Sequence, residues 1–371
     1  MNRIRSSVLA SVVLAVAVVL AGAGGAQAGK KTFIYVHDRD VGGGIYGFSF
    51  AKGSLDPLPG SPWALADDGG GCGGMCQTMA YASKRKMLVT GGLNGITSWT
   101  VNKDGTLAVS PGSPGAPVPG GDVLGTGVVQ IGKRVFVYGA AYDLDRVVAF
   151  ELLADGQFVA MADAALPVGS GPDGLQTRKK LVFVVNENTG TVATWVAQKD
   201  GTLVAAPGSP LALPLVGFVF NPSPDPKGKW LYVHDDGDND GGRIHAFSVS
   251  KKTGALSPVA GTPFLTFPVG DKTGLAVAKK RVFAMDYEDG SNDIQPFAIG
   301  KKGVLAATGV IIDSNLAIQA HTIDPKGKQL VVASPDFLVV AKVVGKDGSL
   351  DTIDARSLPG VNANAVVVVK R

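Results

Sequence analysis

Four histidines and a scatter of aspartates carry the acid–base chemistry open to this chain of 371 residues. His37-Asp38 and His234-Asp235 each set an imidazole beside a carboxylate, the arrangement of a general base whose charge is tuned by its neighbour. The two pairs occupy matching places in a repeat, so common ancestry accounts for them equally well. No two histidines show metal-ligand spacing, which argues against zinc. Asp236-Gly-Asp238-Asn-Asp240-Gly241 places three carboxylates at alternate positions with glycine to bend the chain. Hard oxygen ligands so spaced can wrap calcium. Phe247 stands where an EF-hand loop needs its glutamate, so a solvated acidic loop competes with that reading. Cys72-Gly-Gly-Met-Cys76 contains both cysteines of the chain and is expected to close a small disulfide ring. With Met75 and Met79, a soft copper(I) site is the alternative.

These residues need a scaffold, and composition says which kind. The chain has 51 Gly and 22 Pro, 45% hydrophobic residues and 18% charged. So much glycine and proline opposes a helical fold, while the apolar fraction suffices for a large core. The N-terminus carries Arg3 and Arg5, an apolar run from Ser6 to Gly22, and Ala26-Gln27-Ala28. That is the pattern of a secretory signal peptide over residues 1–28, leaving 29–371 as one domain, exported to the periplasm or outside the cell. Losing Arg3 and Arg5 lowers the net charge from +4 to +2. Such a balance gives no electrostatic reason to expect nucleic acid. No further run is long and apolar enough to span a membrane, and the mature chain is expected to be a monomer.

Repetition decides the fold. Phe33-Ile-Tyr-Val36, Met87-Leu-Val89, Val135-Phe-Val137, Leu181-Val-Phe-Val184, Trp230-Leu-Tyr-Val233, Val282-Phe-Ala284 and Leu330-Val-Val332 recur at a mean spacing near 49 residues. That period belongs to propeller blades of four strands. An aromatic follows in the next strand at Phe48, Trp99, Phe150, Trp195, Phe247 and Phe297, with Ala341 in the seventh copy. Asp-Gly turns such as Lys103-Asp-Gly105 and Lys199-Asp-Gly201 then suggest tight two-residue hairpins. Pro-Gly-Ser-Pro segments, as at Pro59–Pro62, suit an outer edge, since proline cannot donate to a ladder. The expected architecture is all-β, a seven-bladed β-propeller of four-stranded blades. Ala363–Val369 is surplus at the C-terminus and completes the first blade, closing the ring.

In such a ring the Lys-rich turns fall on one face, and the loops with Asp38, Asp235 and Asp286 on the other. The acidic loop face is where a small molecule or a protein ligand is expected, with His37, Asp38, Asp173, His234, Asp235 and Asp286 as candidate binding residues. No cofactor is required, with calcium at Asp236, Asp238 and Asp240 as the one possibility.

The strand Trp230-Leu-Tyr-Val, the turn Lys199-Asp-Gly-Thr-Leu and the tail Pro207-Gly-Ser-Pro resemble the bacterial lactonase-type seven-bladed propellers. That family includes 6-phosphogluconolactonase and is related to YVTN-type repeat proteins; the resemblance covers about residues 31–371. It implies hydrolysis of a lactone at the mouth of the central channel. His321 matches the family histidine that follows an arginine, whereas Ala320 stands in place of that arginine. His321 and Gln319 are therefore the candidate catalytic residues. The expected function is an exported lactonase-like propeller that binds a ligand or partner on its acidic face, with lactone hydrolysis as the alternative.

Overall fold

Each of the seven apolar runs forms the second strand of its own antiparallel sheet. The computed structural model describes residues 31–371 apart from 39, 41–42, 66–77, 94, 111–115, 215–216, 220, 238–241, 267–273, 286–292, 310–311, 315 and 325–326. The innermost strands succeed one another in a closed circuit: Met79–Ala82, Val123–Ile131, Pro172–Arg178, Ser223–Pro224, Gly274–Val277, Ala320–Ile323 and Ala363–Lys370. The last of these, the C-terminal strand, pairs with Thr32–Asp38 from Thr32↔Lys370 to Asp38↔Ala363. Both ends of the propeller chain thus share the first blade. Outer residues reinforce the seam, where Asp354 Oδ2 accepts from Leu55 N at 2.7 Å and Arg356 Nε donates to Leu55 O at 2.5 Å.

The core lies between blades, as sheet faces pack on one another. Phe136, Tyr138 and Val129 of the third blade meet Val182, Val184 and Leu175 of the fourth. Tyr232 and Ile244 of the fifth meet Val282, Ala284 and Phe297 of the sixth. Each fully buried side chain of this size contributes about 1.5–3 kcal/mol, and the β-branched and aromatic residues suit strands packed on both faces.

Two details differ from the sequence expectation. Six of the seven blades carry a fifth, two-residue strand, such as Trp63–Ala64 or Leu211–Ala212, which pairs with the third strand beside the fourth. The hydroxyl of the Pro-Gly-Ser-Pro serine spans the gap between the two short strands. Ser61 Oγ accepts from Gly47 N at 2.9 Å, and Ser209 Oγ from Thr194 N at 2.8 Å. Thr262 does the same for Ala246 N at 2.8 Å. The Asp-Gly turns are also longer than two residues. Gly105 and Gly201 alone take positive φ (94° and 93°), while the aspartate acts through its carboxylate. Asp104 Oδ1 accepts from Thr106 N at 3.0 Å and Oγ1 at 2.7 Å, and Asp200 repeats this with Thr202. A carboxylate that mimics the next turn of backbone makes a second left-handed residue unnecessary.

The turns also lock neighbouring blades together in pairs. Tyr35, Tyr138 and Tyr232, all buried, donate their hydroxyls to the carbonyls of Gly105, Gly201 and Gly303 in the following blade at 2.6, 2.6 and 3.2 Å. The ring two residues earlier in each strand lies against the same glycine: a Cβ at Gly105 would come within 2.4 Å of Phe33, and one at Gly201 within 2.4 Å of Phe136.

Candidate functional site

Strand register assigns each innermost residue a depth along the axis. His321 pairs with Val332 in the seventh blade. At the same depth stand Val366, Ala80, Val128, Leu175 and Leu275, opposite Val36, Val89, Val137, Val184 and Ala284. His321 is thus the one polar side chain in this layer of six blades. It is buried, and among the described residues neither ring nitrogen has a partner in full hydrogen-bond geometry, the Leu275 carbonyl being the nearby acceptor. Burial pushes its pKa down to about 4, only partly offset by the nearby Leu275 carbonyl, so the ring is neutral at physiological pH.

On the loop side of His321 the innermost strands begin with a collar of polar residues: Thr78, Thr126, Asp173, Asn221, Gln319 and Asn362. Asp173 sits on a β-bulge between Pro172 and Gly174, a device that re-aims a side chain. Burial, and then the Glu187 carboxylate, raise its pKa to about 7. Gly174 backs directly on Asn221, whose Oδ1 would lie 2.7 Å from a Cβ placed there. Gln319 Oε1 accepts from Ala363 N at 2.9 Å, tying the seventh blade to the closing strand. By contrast Thr126 Oγ1, Asn362 Oδ1 and both polar atoms of the Asn221 amide have no partner among the described residues, although Thr126 and Asn221 are buried. Buried polar atoms are almost always satisfied in native proteins, so such a group needs an explanation. Neither lysine nor arginine occurs among these six residues and His321.

The two His-Asp pairs are built into the blades. His37 Nδ1 lies 2.9 Å from Thr78 Oγ1 of the next blade, and Asp38 Oδ1 accepts from Asn362 N at 3.1 Å and Asp40 N at 3.2 Å. In the fifth blade Asp235 Oδ1 accepts from Gly217 N at 2.9 Å and Gly237 N at 3.2 Å, while His245 Nε2 donates to Oδ2 at 3.3 Å. His234, also buried, has its pKa lowered to about 4, chiefly by burial; Asp235 opposes the shift and His245 adds to it. Asp236 Oδ1 accepts from Phe218 N at 2.7 Å. His37, Asp38, Asp173, His234, Asp235 and Asp236 are all buried. Asp238, Asp240, Asp286, Cys72 and Cys76 lie outside the described residues, as does the signal segment. Sequence reasoning did not join His245 to Asp235; the signal was its place opposite Val233 on the neighbouring strand. It also passed over Thr126, which reads as an ordinary strand residue.

No protein-family profile matches the sequence, and no curated protein matches it. Solved structures do. A candidate 6-phosphogluconolactonase from Bacteroides fragilis superposes with a TM-score of 0.72 at 16% identity, over 93% of this chain and all of the other. A second candidate, from Bacteroides uniformis, gives 0.69 at 18% identity over 92% and 99%. The periplasmic gluconolactonase PpgL of Pseudomonas aeruginosa gives 0.67 at 14% identity over 91% and 99%. The fold is that of the lactonase-type seven-bladed propellers. Within a lactonase-type propeller the position before His321 is a buried alanine here, so the cation that the resemblance implies is replaced by a methyl group. Among the described residues, no helix is long and apolar enough to cross a membrane.

Proposed function

We propose that this chain is an exported propeller that binds a small, uncharged, hydroxyl-rich molecule at the loop-side mouth of its axis. The supporting observation is the buried Asn221 amide, with donor and acceptor both unpartnered, beside the strand that carries Asp173. An amide with both functions open suits a hydroxyl or an ester carbonyl. Asp173, with a pKa near 7, either accepts or donates. Among the described residues the collar holds no cation for a phosphate or carboxylate to pair with. Export rests on the segment from Met1 to Ala28. It would carry Cys72 and Cys76 into an oxidising compartment where they can bond, and titratable thiols in the mature protein would count against that.

Lactone hydrolysis is the second reading, favoured by the neutral, buried ring of His321 one layer deeper. In it His321 takes a proton from water, the hydroxide adds to the lactone carbonyl, and the ring C–O bond breaks. The alkoxide recovers the proton to give the open hydroxy acid. One experiment separates the readings. Thermal shift and hydrolysis are followed with glucono-1,5-lactone, its 6-phosphate and open-chain polyols, on the native protein, Asn221→Leu and His321→Ala. Stabilisation by uncharged compounds that Asn221→Leu abolishes supports the binding site. Turnover lost in His321→Ala adds catalysis. Preference for the phosphorylated lactone, or no response to any compound, overturns the proposal.

A further inference from the structure

The opposite face of the propeller carries a site of different chemistry. Between the turns of the fourth and fifth blades runs an open groove of about 570 Å³, flanked by Lys180, Lys199, Lys251 and Lys252. Its walls also include Gln198 and Asp200, and Val196 with Ala197 line its base. The four lysines are exposed, and none takes part in an ion pair among the described residues. Some other cations on this face are matched, as Arg134 is with Glu151 at 2.6 Å and Lys370 with Asp324 at 3.5 Å. Exposed cations continue onto the sixth blade at Lys279-Lys280 and Lys301-Lys302. Exposed lysines thus run across three consecutive blades on this face, with Asp200 as the one acid in the groove's lining.

We propose that this groove binds a chain of an acidic polysaccharide. Four ammonium groups on three neighbouring turns, none in an ion pair among the described residues, suit repeated single anionic groups, each met as a point charge rather than through an arginine fork. Gln198 Nε2 already donates to Val196 O and Asp200 Oδ1 accepts from Thr202, which leaves Gln198 Oε1 and Asp200 Oδ2 as acceptors for hydroxyls, groups that a polysaccharide has and polyphosphate lacks. The groove is recessed between turns, so a planar bilayer meets only the turn tips while a chain reaches Val196 and Ala197. Attraction of this kind raises the association rate and weakens with salt.

The test uses fluorescently labelled polygalacturonate and the full protein at low and high salt. The expected result is salt-sensitive binding that Lys251→Glu with Lys252→Glu weakens at least about tenfold. Reversing the same number of charges on the same face at Lys103→Glu with Lys346→Glu is expected to weaken it less than about threefold. Melting temperatures of both double variants are measured alongside, and the native value is expected for each. Equal weakening by the two pairs, or no binding, overturns the site. Tighter binding of polyphosphate, or binding of phosphatidylglycerol vesicles but not polygalacturonate, overturns the choice of ligand.

Discussion

The two faces of the propeller differ in the charge they leave exposed. On the loop face, the carboxylates of Asp38, Asp145, Asp235 and Asp236 turn inward and accept from backbone amides, as Asp145 does from Gly169 N at 2.6 Å and Gly171 N at 3.0 Å. On the turn face carboxylates also accept from backbone amides, as Asp225 does from Trp230 N at 2.8 Å, and neutral groups add to the bracing through the tyrosine hydroxyls on glycine carbonyls and Ser98 Oγ on Gly156 O at 2.7 Å. Its lysines stay outside. The reason lies in side-chain length and chemistry. Aspartate reaches amides one or two residues away and saturates a loop. Lysine has a long stem, only donors and strong hydration, so it stays in water unless an acid comes to it. A face that reads as acidic thus has much of its charge engaged, whereas the basic face keeps its own available.

The contrast breaks most readily at Asp235. Asp235→Ala removes the acceptor of two loop amides and strands His245 in the core, with an expected loss of about 3–5 kcal/mol. Urea unfolding checks it, and a midpoint equal to the native one would mean that the loop face is not held by its carboxylates. Acid comes next. His234 and His321 have pKa values near 4 in the fold against an ordinary 6.5, so the unfolded chain binds protons first as pH falls. Stability is full above pH 6.5 and declines toward pH 4, by on the order of 3 kcal/mol for each histidine. His321→Leu, which installs the kind of residue other blades carry at that depth, is expected to flatten part of this decline in melts recorded from pH 7 to 4. An unchanged slope would place the acid response elsewhere.

Smaller effects sharpen the turn face. Tyr138→Phe leaves the Gly201 carbonyl without its hydroxyl and is expected to cost about 1 kcal/mol at every pH between 5 and 8. A pH-dependent loss would contradict neutral bracing. Lys251→Ala with Lys252→Ala is expected to change stability by less than about 0.5 kcal/mol, because both side chains are exposed and neither is in an ion pair among the described residues. A larger loss in calorimetry would show these charges already in structural use.

Much of the fold was legible because the repeated signals are local. Apolar runs such as Trp230–Val233 mark strands, and Gly105 and Gly201 mark turns by backbone rules that act over a few residues. The fifth strand of each blade was less visible, since two residues such as Leu211–Ala212 carry no periodicity. At the axis the sequence pointed to His321, Gln319 and Asp173 but not to their circumstances. Whether Gln319 is tied to Ala363 N, or Asn221 left without a partner, depends on blades distant in sequence that meet only when the ring closes.

By itself the sequence determined the number of blades, their order and the strand that closes them, because each follows from a pattern repeated along the chain. Only the tertiary structure decided which charges are engaged and which are available. A residue type states a formal charge, but its partners come from amides and side chains that the fold assembles, as Gly217 N is for Asp235. The same four-lysine groove and open Asn221 amide could not be told from solvated loops until neighbouring blades were in place.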